Sequence, residues 1–174
     1  MPIDLRSFIR EVPDFPKPGI LFRDITPLLS APDGLRAAIE ALAAPFAGRV
    51  DAVVGIESRG FLLGAPVALG LGVGLAIVRK PGKLPGTILE ESYSLEYGTD
   101  RLQIHRDALR PGQRVLLIDD LLATGGTAAA GLRLIQQLGV QVVGAAFLIE
   151  LAALRGRGVL EPVPVHSVIR YEDA

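Results

Sequence analysis

Short apolar runs alternate along this chain with stretches whose apolar residues recur at helical spacing. The runs predict strands, and the spaced pattern predicts helices between them. The predicted strands cover residues 52–56, 73–78, 114–118, 140–149 and 165–169. The predicted helices cover 33–46, with Ser30 or Asp33 as the N-cap, about 60–69, and the residues that lead up to Leu138. Unbroken apolar strands joined by helices are typical of a parallel sheet covered on both faces.

One apolar stretch has the length of a membrane span. Residues 61–78 are eighteen consecutive uncharged residues, which is at the threshold for a transmembrane helix. Pro66 and the glycines at 70, 72 and 74 interrupt it, so the pattern favours a buried helix, a turn and a buried strand. Residues 1–10 carry Asp4, Arg6 and Arg10, unlike a secretory signal. We therefore expect a soluble, cytoplasmic protein.

Two segments fit neither a helix nor a core strand. Residues 13–27 combine four prolines and a glycine with apolar side chains, which predicts an ordered apolar loop near the N-terminus. Residues 81–100 combine prolines and glycines with charged residues and tyrosines. A polar connection of that length inside a compact domain is usually functional and often forms a lid.

Composition narrows the class of protein. A chain of 174 residues with 18 basic and 19 acidic side chains fits one domain and shows no basic excess for nucleic acid or an anionic membrane. The absence of cysteine excludes disulfides, thiolate nucleophiles and cysteine-ligated metals. The two histidines, His105 and His166, lie far apart in the sequence, which makes a zinc site improbable.

The most informative segment is residues 115–127, a predicted buried strand that ends in Asp119 and Asp120 and is followed by the small residues 123–127. Free backbone N–H groups at the start of the next helix favour an anion such as phosphate. Two carboxylates beside a phosphate would repel it unless they accept hydrogen bonds from a sugar diol. The segment therefore predicts a site for a sugar 5-phosphate. It contains neither a Walker P-loop nor a G-x-G-x-x-G sequence.

Residues 115–127 resemble the phosphoribosyl pyrophosphate signature of the type I phosphoribosyltransferases. Four more segments, 22–25, 57–61, 79–85 and 93–98, resemble the adenine-specific members of that family in the same order. The resemblance implies an α/β, Rossmann-like parallel-sheet core formed by a single domain over 1–174. It also implies an N-terminal hood over the base at about 1–30 and a flexible lid at about 81–100.

The implied reaction joins adenine to the ribosyl group of phosphoribosyl pyrophosphate and gives AMP and diphosphate, as in purine salvage. The ribose 5-phosphate loop is expected to comprise Asp119, Asp120, Ala123, Thr124, Gly125, Gly126 and Thr127. The diphosphate is expected to contact Glu57, Ser58, Arg59, Arg79, Lys80 and Lys83, and the resemblance implies a strained peptide, cis or trans, between Glu57 and Ser58. The adenine is expected to contact Leu21, Phe22, Arg23, Ile25 and Leu122, and the catalytic residues are expected to be Glu96, Arg59 and Tyr97.

The resemblance further implies a homodimer. In related enzymes, residues of the kind found here at Arg79, Lys80 and Lys83 can reach the diphosphate of the partner subunit. The resemblance also implies Mg²⁺ bound mainly through the donor, with no dedicated protein ligands, and it implies neither nucleic acid nor membrane as a partner. Three alternatives stay open at this point: an enzyme for a 6-oxopurine, a regulator that senses the donor without catalysis, and a receiver-type signalling domain with an acidic pocket.

Overall fold

A computed structural model describes residues 3–95 and 98–174. The strands are β1 (Arg10–Pro13), β2 (Leu21–Asp24), β3 (Ala52–Ile56), β4 (Gly74–Val78), β5 (Ile88–Ser94), β6 (Thr99–His105), β7 (Arg114–Leu122), β8 (Gln141–Leu151) and β9 (Val165–Tyr171). The α-helices are α1 (Thr26–Ser30), α2 (Pro32–Ala43), α3 (Arg59–Leu71), α4 (Gly126–Gln136) and α5 (Gly156–Val159). Short 3₁₀ turns occupy Leu5–Phe8, Ala44–Phe46 and Ala152–Leu154.

The central sheet is parallel, in the order β4-β3-β7-β8-β9, which confirms the predicted α/β class and its five core strands. Alternate residues of β3 and β7 enter two apolar cores: one face packs against α4, and the other packs against α2 and α3. Two buried faces explain why the strands read as unbroken apolar runs. The chain leaves β3 toward β4 on one side, whereas β7 lies on the other, so the strand order reverses between β3 and β7.

Several predicted boundaries were wrong: β8 ends at Leu151 instead of 149, and β9 ends at Tyr171 instead of 169. Strand β7 does not stop at Ile118 but continues to Leu122, because β8 keeps pairing with it as far as the Leu122–Glu150 register position. Helix α2 begins at Pro32 after Ala31, and no side chain caps it, so neither Ser30 nor Asp33 is the N-cap. Proline at the first helical position has no N–H that needs a cap.

The apolar stretch 61–78 divides as predicted into a helix, a turn and a strand. Helix α3 ends at Leu71, Gly72 caps it with a φ of 69°, and β4 follows from Gly74. None of the helices formed by the described residues is long and apolar enough to cross a bilayer.

Two antiparallel hairpins flank the sheet. Strands β1 and β2 form the N-terminal hairpin, with Arg10 opposite Asp24, and β2 lies in the segment 13–27 that was expected to be an ordered apolar loop. Strands β5 and β6 form the second hairpin, with Ile88 opposite His105, where an irregular polar connection was expected. Its inner face buries Tyr93, Leu102 and Ile104 in the core beside α4. Burial of these three side chains explains why a largely polar segment forms two regular strands.

Candidate active site

A polar cavity of about 560 Å³ opens at the carboxyl ends of β3 and β7, where the strand order reverses. Ligands of open parallel sheets bind at this position. The cavity brings together segments that are far apart in the sequence. Its lining comprises Glu57, Ser58, Arg59, Lys80, Lys83 and the continuous run 119–128.

The loop from β7 to α4 forms the floor of the polar cavity. Gly125 has a φ of 87° and precedes the first turn of α4 without a side-chain cap. Glycine is the residue that adopts this left-handed conformation at little cost. The N–H groups of the first helical turn are therefore free to bind an anion. Ala123, Thr124, Gly125, Gly126 and Thr127 all line the cavity, as the sequence predicted.

Asp119 and Asp120 both line the cavity but differ in their contacts. Asp120 is 8% exposed, and its Oδ2 accepts a hydrogen bond from Arg59 Nε. Asp119 Oδ1 accepts the backbone N–H of Asp120 at 2.9 Å. Burial and the neighbouring negative charge of Asp120 raise the pKa of Asp119 well above its usual range. The pair thus combines one carboxylate held by a cation with one that ionises with difficulty.

The turn after β3 supplies the opposite wall of the cavity. The peptide between Glu57 and Ser58 is cis, an isomer that the sequence left undetermined. Helix α3 starts at Arg59, and a Cβ at Gly60 would lie 2.9 Å from the Ile118 carbonyl oxygen. The glycine therefore allows α3 to approach β7, which places Arg59 beside Asp120.

Glu57 contacts all three segments that carry the predicted cations, but it pairs with the charged side chains of only Arg79 and Lys83. Its Oε2 accepts Arg79 Nε at 3.1 Å and the Lys80 backbone N–H at 2.9 Å, and its Oε1 accepts Lys83 Nζ. Burial acts to raise the pKa of Glu57, but these hydrogen bonds outweigh it and hold the pKa below its ordinary value. Lys80 and Lys83 line the cavity, whereas Arg79, which pairs with Glu57, is not among the lining residues. The cluster therefore presents positive charge next to the loop of residues 123–127, which is called the anion loop from here on.

The second hairpin contacts the anion loop through Tyr93. The Tyr93 hydroxyl accepts Lys80 Nζ at 3.0 Å, donates to Asp100 Oδ2 at 3.2 Å, and lies 3.5 Å from Thr127 Oγ1. Lys80 also pairs with Asp100. Sequence reasoning placed Tyr93 and Asp100 within the expected lid but assigned neither an individual contact, because nothing in the sequence pairs them with residues on other elements.

An apolar pocket of about 350 Å³ lies against the N-terminal hairpin. Phe15 and Phe22 meet edge to face at 5.1 Å in its wall, a geometry suited to a flat aromatic ligand. The pocket is lined by Val12, Phe15, Phe22, Arg23, Asp24, Ile25, Thr26 and Arg59. Arg59 therefore borders both cavities.

The structure brings together only part of the set expected around the base. Phe22, Arg23 and Ile25 line the apolar pocket, whereas Leu122 lines the polar cavity. Leu21 lines neither; it is the strand partner of Pro13. The lining residues Val12, Phe15, Asp24 and Thr26 were missed in the sequence. The proline-rich pattern of 13–27 was the available signal, since it marked an ordered apolar segment without showing which side chains face inward.

Glu96 and Tyr97 lie outside the described residues. The two histidines take no part in either cavity: His105 Nε2 contacts the Pro85 carbonyl oxygen and His166 Nε2 contacts that of Ala41. Within 3–95 and 98–174, no group of three or more histidine, aspartate or glutamate side chains is placed to hold a metal ion.

Comparison with known proteins identifies related chains over almost the full length. A family model described as a phosphoribosyl transferase domain matches residues 28–167. An adenine phosphoribosyltransferase of Synechococcus sp. (strain JA-3-3Ab) is 65% identical over 96% of this chain and 97% of its own. The adenine phosphoribosyltransferase structure from Rhodothermus marinus is 57% identical, with a TM-score of 0.91 over 96% of both chains.

A more distant solved structure carries a ligand. The Saccharomyces cerevisiae adenine phosphoribosyltransferase, complexed with an imino-altritol bisphosphate and adenine, is 40% identical with a TM-score of 0.91. The match covers 94% of this chain and 96% of that one.

Proposed function

This chain belongs to the phosphoribosyl transferase family, among its adenine phosphoribosyltransferases, and from that premise we propose how its own residues share the reaction. The reaction joins adenine to phosphoribosyl pyrophosphate and gives AMP and diphosphate. One observation carries the assignment of roles: a polar, anion-binding cavity and an apolar pocket share the side chain of Arg59.

The ribose 5-phosphate binds in the loop of residues 123–127. The free N–H groups at the start of α4 and the hydroxyls of Thr124 and Thr127 stabilise the phosphate. The ribose diol donates hydrogen bonds to the carboxylates of Asp119 and Asp120 above the loop. Arg59 pairs with Asp120 in the free protein, so the donor competes with this ion pair when its diol reaches Asp120.

The diphosphate lies between residues 57–59 and the cations Lys80 and Lys83, which line the same cavity. Magnesium suits this place because it prefers carboxylate, phosphate and water oxygens and needs few protein ligands. Glu57, Asp119 and Asp120 are the carboxylates that line the cavity and are the protein groups that could assist in holding such an ion. When bound through the donor, Mg²⁺ neutralises charge on the departing diphosphate.

Adenine lies flat in the apolar pocket against Phe22. Its N9 attacks the anomeric carbon of the donor while the bond to diphosphate breaks, through a transition state with oxocarbenium character. The N9 proton passes to a base, and Glu96, with Tyr97 beside it in the chain, is proposed for this step. Arg59 stabilises the negative charge that develops on the diphosphate. Closure of the expected lid, at about 81–100, excludes water, which would otherwise hydrolyse the donor.

A homodimer is proposed from an exposed apolar face. Leu62 and Leu69 on α3 are 53% and 82% exposed, and Leu75 on the edge strand β4 is 37% exposed. A second copy of the chain covers this face and brings its own cations near the cavity. Light scattering of wild type and Leu69→Asp tests this: we expect a dimer and a monomer, respectively, and a monomeric wild type overturns the proposal.

A cytoplasmic location is proposed because both substrates are intracellular metabolites.

The decisive experiment supplies adenine, hypoxanthine, guanine and xanthine separately with Mg²⁺ and phosphoribosyl pyrophosphate and follows the nucleotides by chromatography. AMP from adenine alone is expected. Turnover of a 6-oxopurine in its place would retain the donor site and discard the base assignment. Donor binding without any product would favour a sensor of the donor.

A further inference from the structure

The anion loop rests on a part of the chain that enters neither cavity. We propose that Gly156, held in place by the Arg157–Glu150 ion pair, supports the loop of residues 123–127 from below and thereby sets the affinity for the phosphorylated donor. This inference rests on the proposed function, since it assigns the ribose 5-phosphate to that loop. Gly156, Arg157 and Glu150 act as positioning residues.

Direct backbone contact connects α5 to the anion loop. A Cβ at Gly156 would lie 2.3 Å from the Ala123 carbonyl oxygen and 3.0 Å from the Gly125 nitrogen. The contact is reciprocal, because a Cβ at Gly125 would lie 2.7 Å from the Gly156 carbonyl oxygen. Any side chain at 156 must therefore push the two backbones apart. Both contacted residues, Ala123 and Gly125, line the polar cavity.

Helix α5 has only four residues, too few for its own hydrogen bonds to hold it in place. The Arg157 guanidinium supplies the missing attachment. It donates to both Glu150 carboxylate oxygens, at 3.1 and 2.5 Å, and to the Val165 carbonyl oxygen at 2.7 Å. Ser167 Oγ completes the group by donating to Glu150 Oε2 at 2.6 Å. The arrangement joins α5 to both β8 and β9.

Glu150 connects this group to the strand that carries the loop. It is 3% exposed and lies on β8 directly opposite Leu122, the last residue of β7 before Ala123. Burial acts to raise its pKa, but the hydrogen bonds from Arg157 and Ser167 outweigh burial, so the pKa of Glu150 is lowered. The carboxylate thus stays charged and keeps Arg157 in place. The loop is therefore fixed on one side by β8 and on the other by Gly156.

The expected effect is selective for one substrate. A shift of the loop moves the N–H groups that bind the phosphate, and displacements of about 1 Å cost up to about 100-fold in well-ordered sites. The residues that line the apolar pocket all lie between 12 and 26, apart from Arg59. None of them belongs to the group formed by Gly156, Arg157, Glu150 and Ser167. Donor affinity should fall while adenine affinity stays the same.

Two glycines of the same helix provide a matched test. A Cβ at Gly158 meets nothing within 4 Å, so Gly158→Ala is the control for Gly156→Ala. Calorimetry measures the Kd of ribose 5-phosphate, and steady-state kinetics measures KM for each substrate. We expect Gly156→Ala to raise the ribose 5-phosphate Kd and the donor KM by about tenfold or more, with the adenine KM within about twofold of wild type and Gly158→Ala unchanged.

Unchanged donor binding in a folded Gly156→Ala protein overturns the proposal, as does an equal loss in Gly158→Ala or an equal rise in both KM values. If circular dichroism shows that Gly156→Ala does not fold, Arg157→Ala decides, with the exposed Arg36→Ala as its control. Arg157→Ala should weaken donor binding and Arg157→Lys should restore part of it. Normal donor binding in Arg157→Ala refutes the support role. Failure of the wild-type protein to bind ribose 5-phosphate would instead overturn the proposed function.

Discussion

The guanidinium carbon of Arg23 lies 3.9 Å from the centre of the Tyr171 ring. Arg23 belongs to the N-terminal hairpin and Tyr171 ends the last strand of the sheet, so the contact joins the two ends of the chain. The Arg23 side chain is 3% exposed, and it donates to Glu11 and, at 3.0 Å, to Asp173. The sequence suggested Arg23 as a contact of the base; Arg23 lines the apolar pocket, and its guanidinium pairs with Glu11 and Asp173 and lies over the Tyr171 ring.

Arg23→Ala should therefore destabilise the protein and loosen the apolar pocket. A desolvated cation–π contact contributes about 2 kcal/mol, so we expect at least that loss in the free energy of unfolding by urea denaturation. The KM for adenine should rise while the donor KM stays constant. Arg10→Ala is the control, because Arg10 is 63% exposed and lies 3.6 Å from its partner Asp24. Equal effects of the two variants would contradict a special role for Arg23.

Asp119→Asn should stabilise the protein in a pH-dependent manner. Folding raises the pKa of Asp119 above its ordinary value of 3.8, so the folded state binds a proton that the unfolded state has already lost. The free energy of unfolding consequently falls as the pH rises from 3.8 through the raised pKa. We expect Asn, which carries no charge, to increase Tm by a few degrees near neutral pH and the gain to vanish near pH 4. A gain that is constant with pH would contradict the raised pKa.

Asp51, at the other end of the sheet, has a lowered pKa, so its contribution to stability should be lost as the pH falls. Side-chain and backbone hydrogen bonds from Arg114 lower the pKa of Asp51 to about 2. The stabilisation from this pair is complete above the ordinary value of 3.8 and is lost as the pH falls toward 2. Carbon-detected NMR titration of wild type and Arg114→Ala measures the shift directly, and the variant should titrate near 3.8.

Tyr93→Phe should weaken donor binding without affecting the core. The hydroxyl accepts Lys80 and lies 3.5 Å from Thr127, whereas the ring stays buried. The loss of a hydrogen bond worth about 1 kcal/mol predicts a donor KM raised about fivefold, with Tm and the adenine KM near wild type. Tyr171→Phe keeps the ring beneath Arg23 and serves as the control. A lower Tm without any change in donor KM would assign Tyr93 to packing alone.

Glu96→Ala tests the proposed base, which lies outside the described residues. A proton acceptor in the transition state should lower kcat by about 100-fold or more when it is removed, with a much smaller change in the KM for adenine. Glu96→Gln keeps the size and hydrogen-bonding capacity of the side chain and should be as inactive as the alanine variant. An unchanged kcat would make Glu96 an ordinary loop residue.

The sequence predicted the sheet well because two buried faces leave an unmistakable apolar pattern. Residues 52–56 were predicted with their exact bounds. The continuation of β7 beyond Asp120 to Leu122 was missed because polar residues end an apolar run, although pairing with β8 continues beyond them. Contacts between strands, which a single segment does not display, decide where such a strand stops.

The candidate site was predicted unevenly for the same reason. The run 119–127 and the turn 57–59 are local motifs whose backbone and side chains act together, and both line the polar cavity. The apolar pocket depends on how the N-terminal hairpin is paired, which is why Phe15 and Asp24 were missed. Gly156 gave no signal at all, because its importance comes from a backbone 31 positions earlier at Gly125.

The position of Arg59 between the polar cavity and the apolar pocket also has a consequence for inhibitor chemistry. A fragment that displaces Arg59 from either cavity changes the wall of the other, because one guanidinium borders both. Affinities of two separately selected fragments should therefore not add when they are joined. A linked compound has to be designed around the orientation of this side chain, and the linker that succeeds will be the one that gives the guanidinium an anion to replace Asp120.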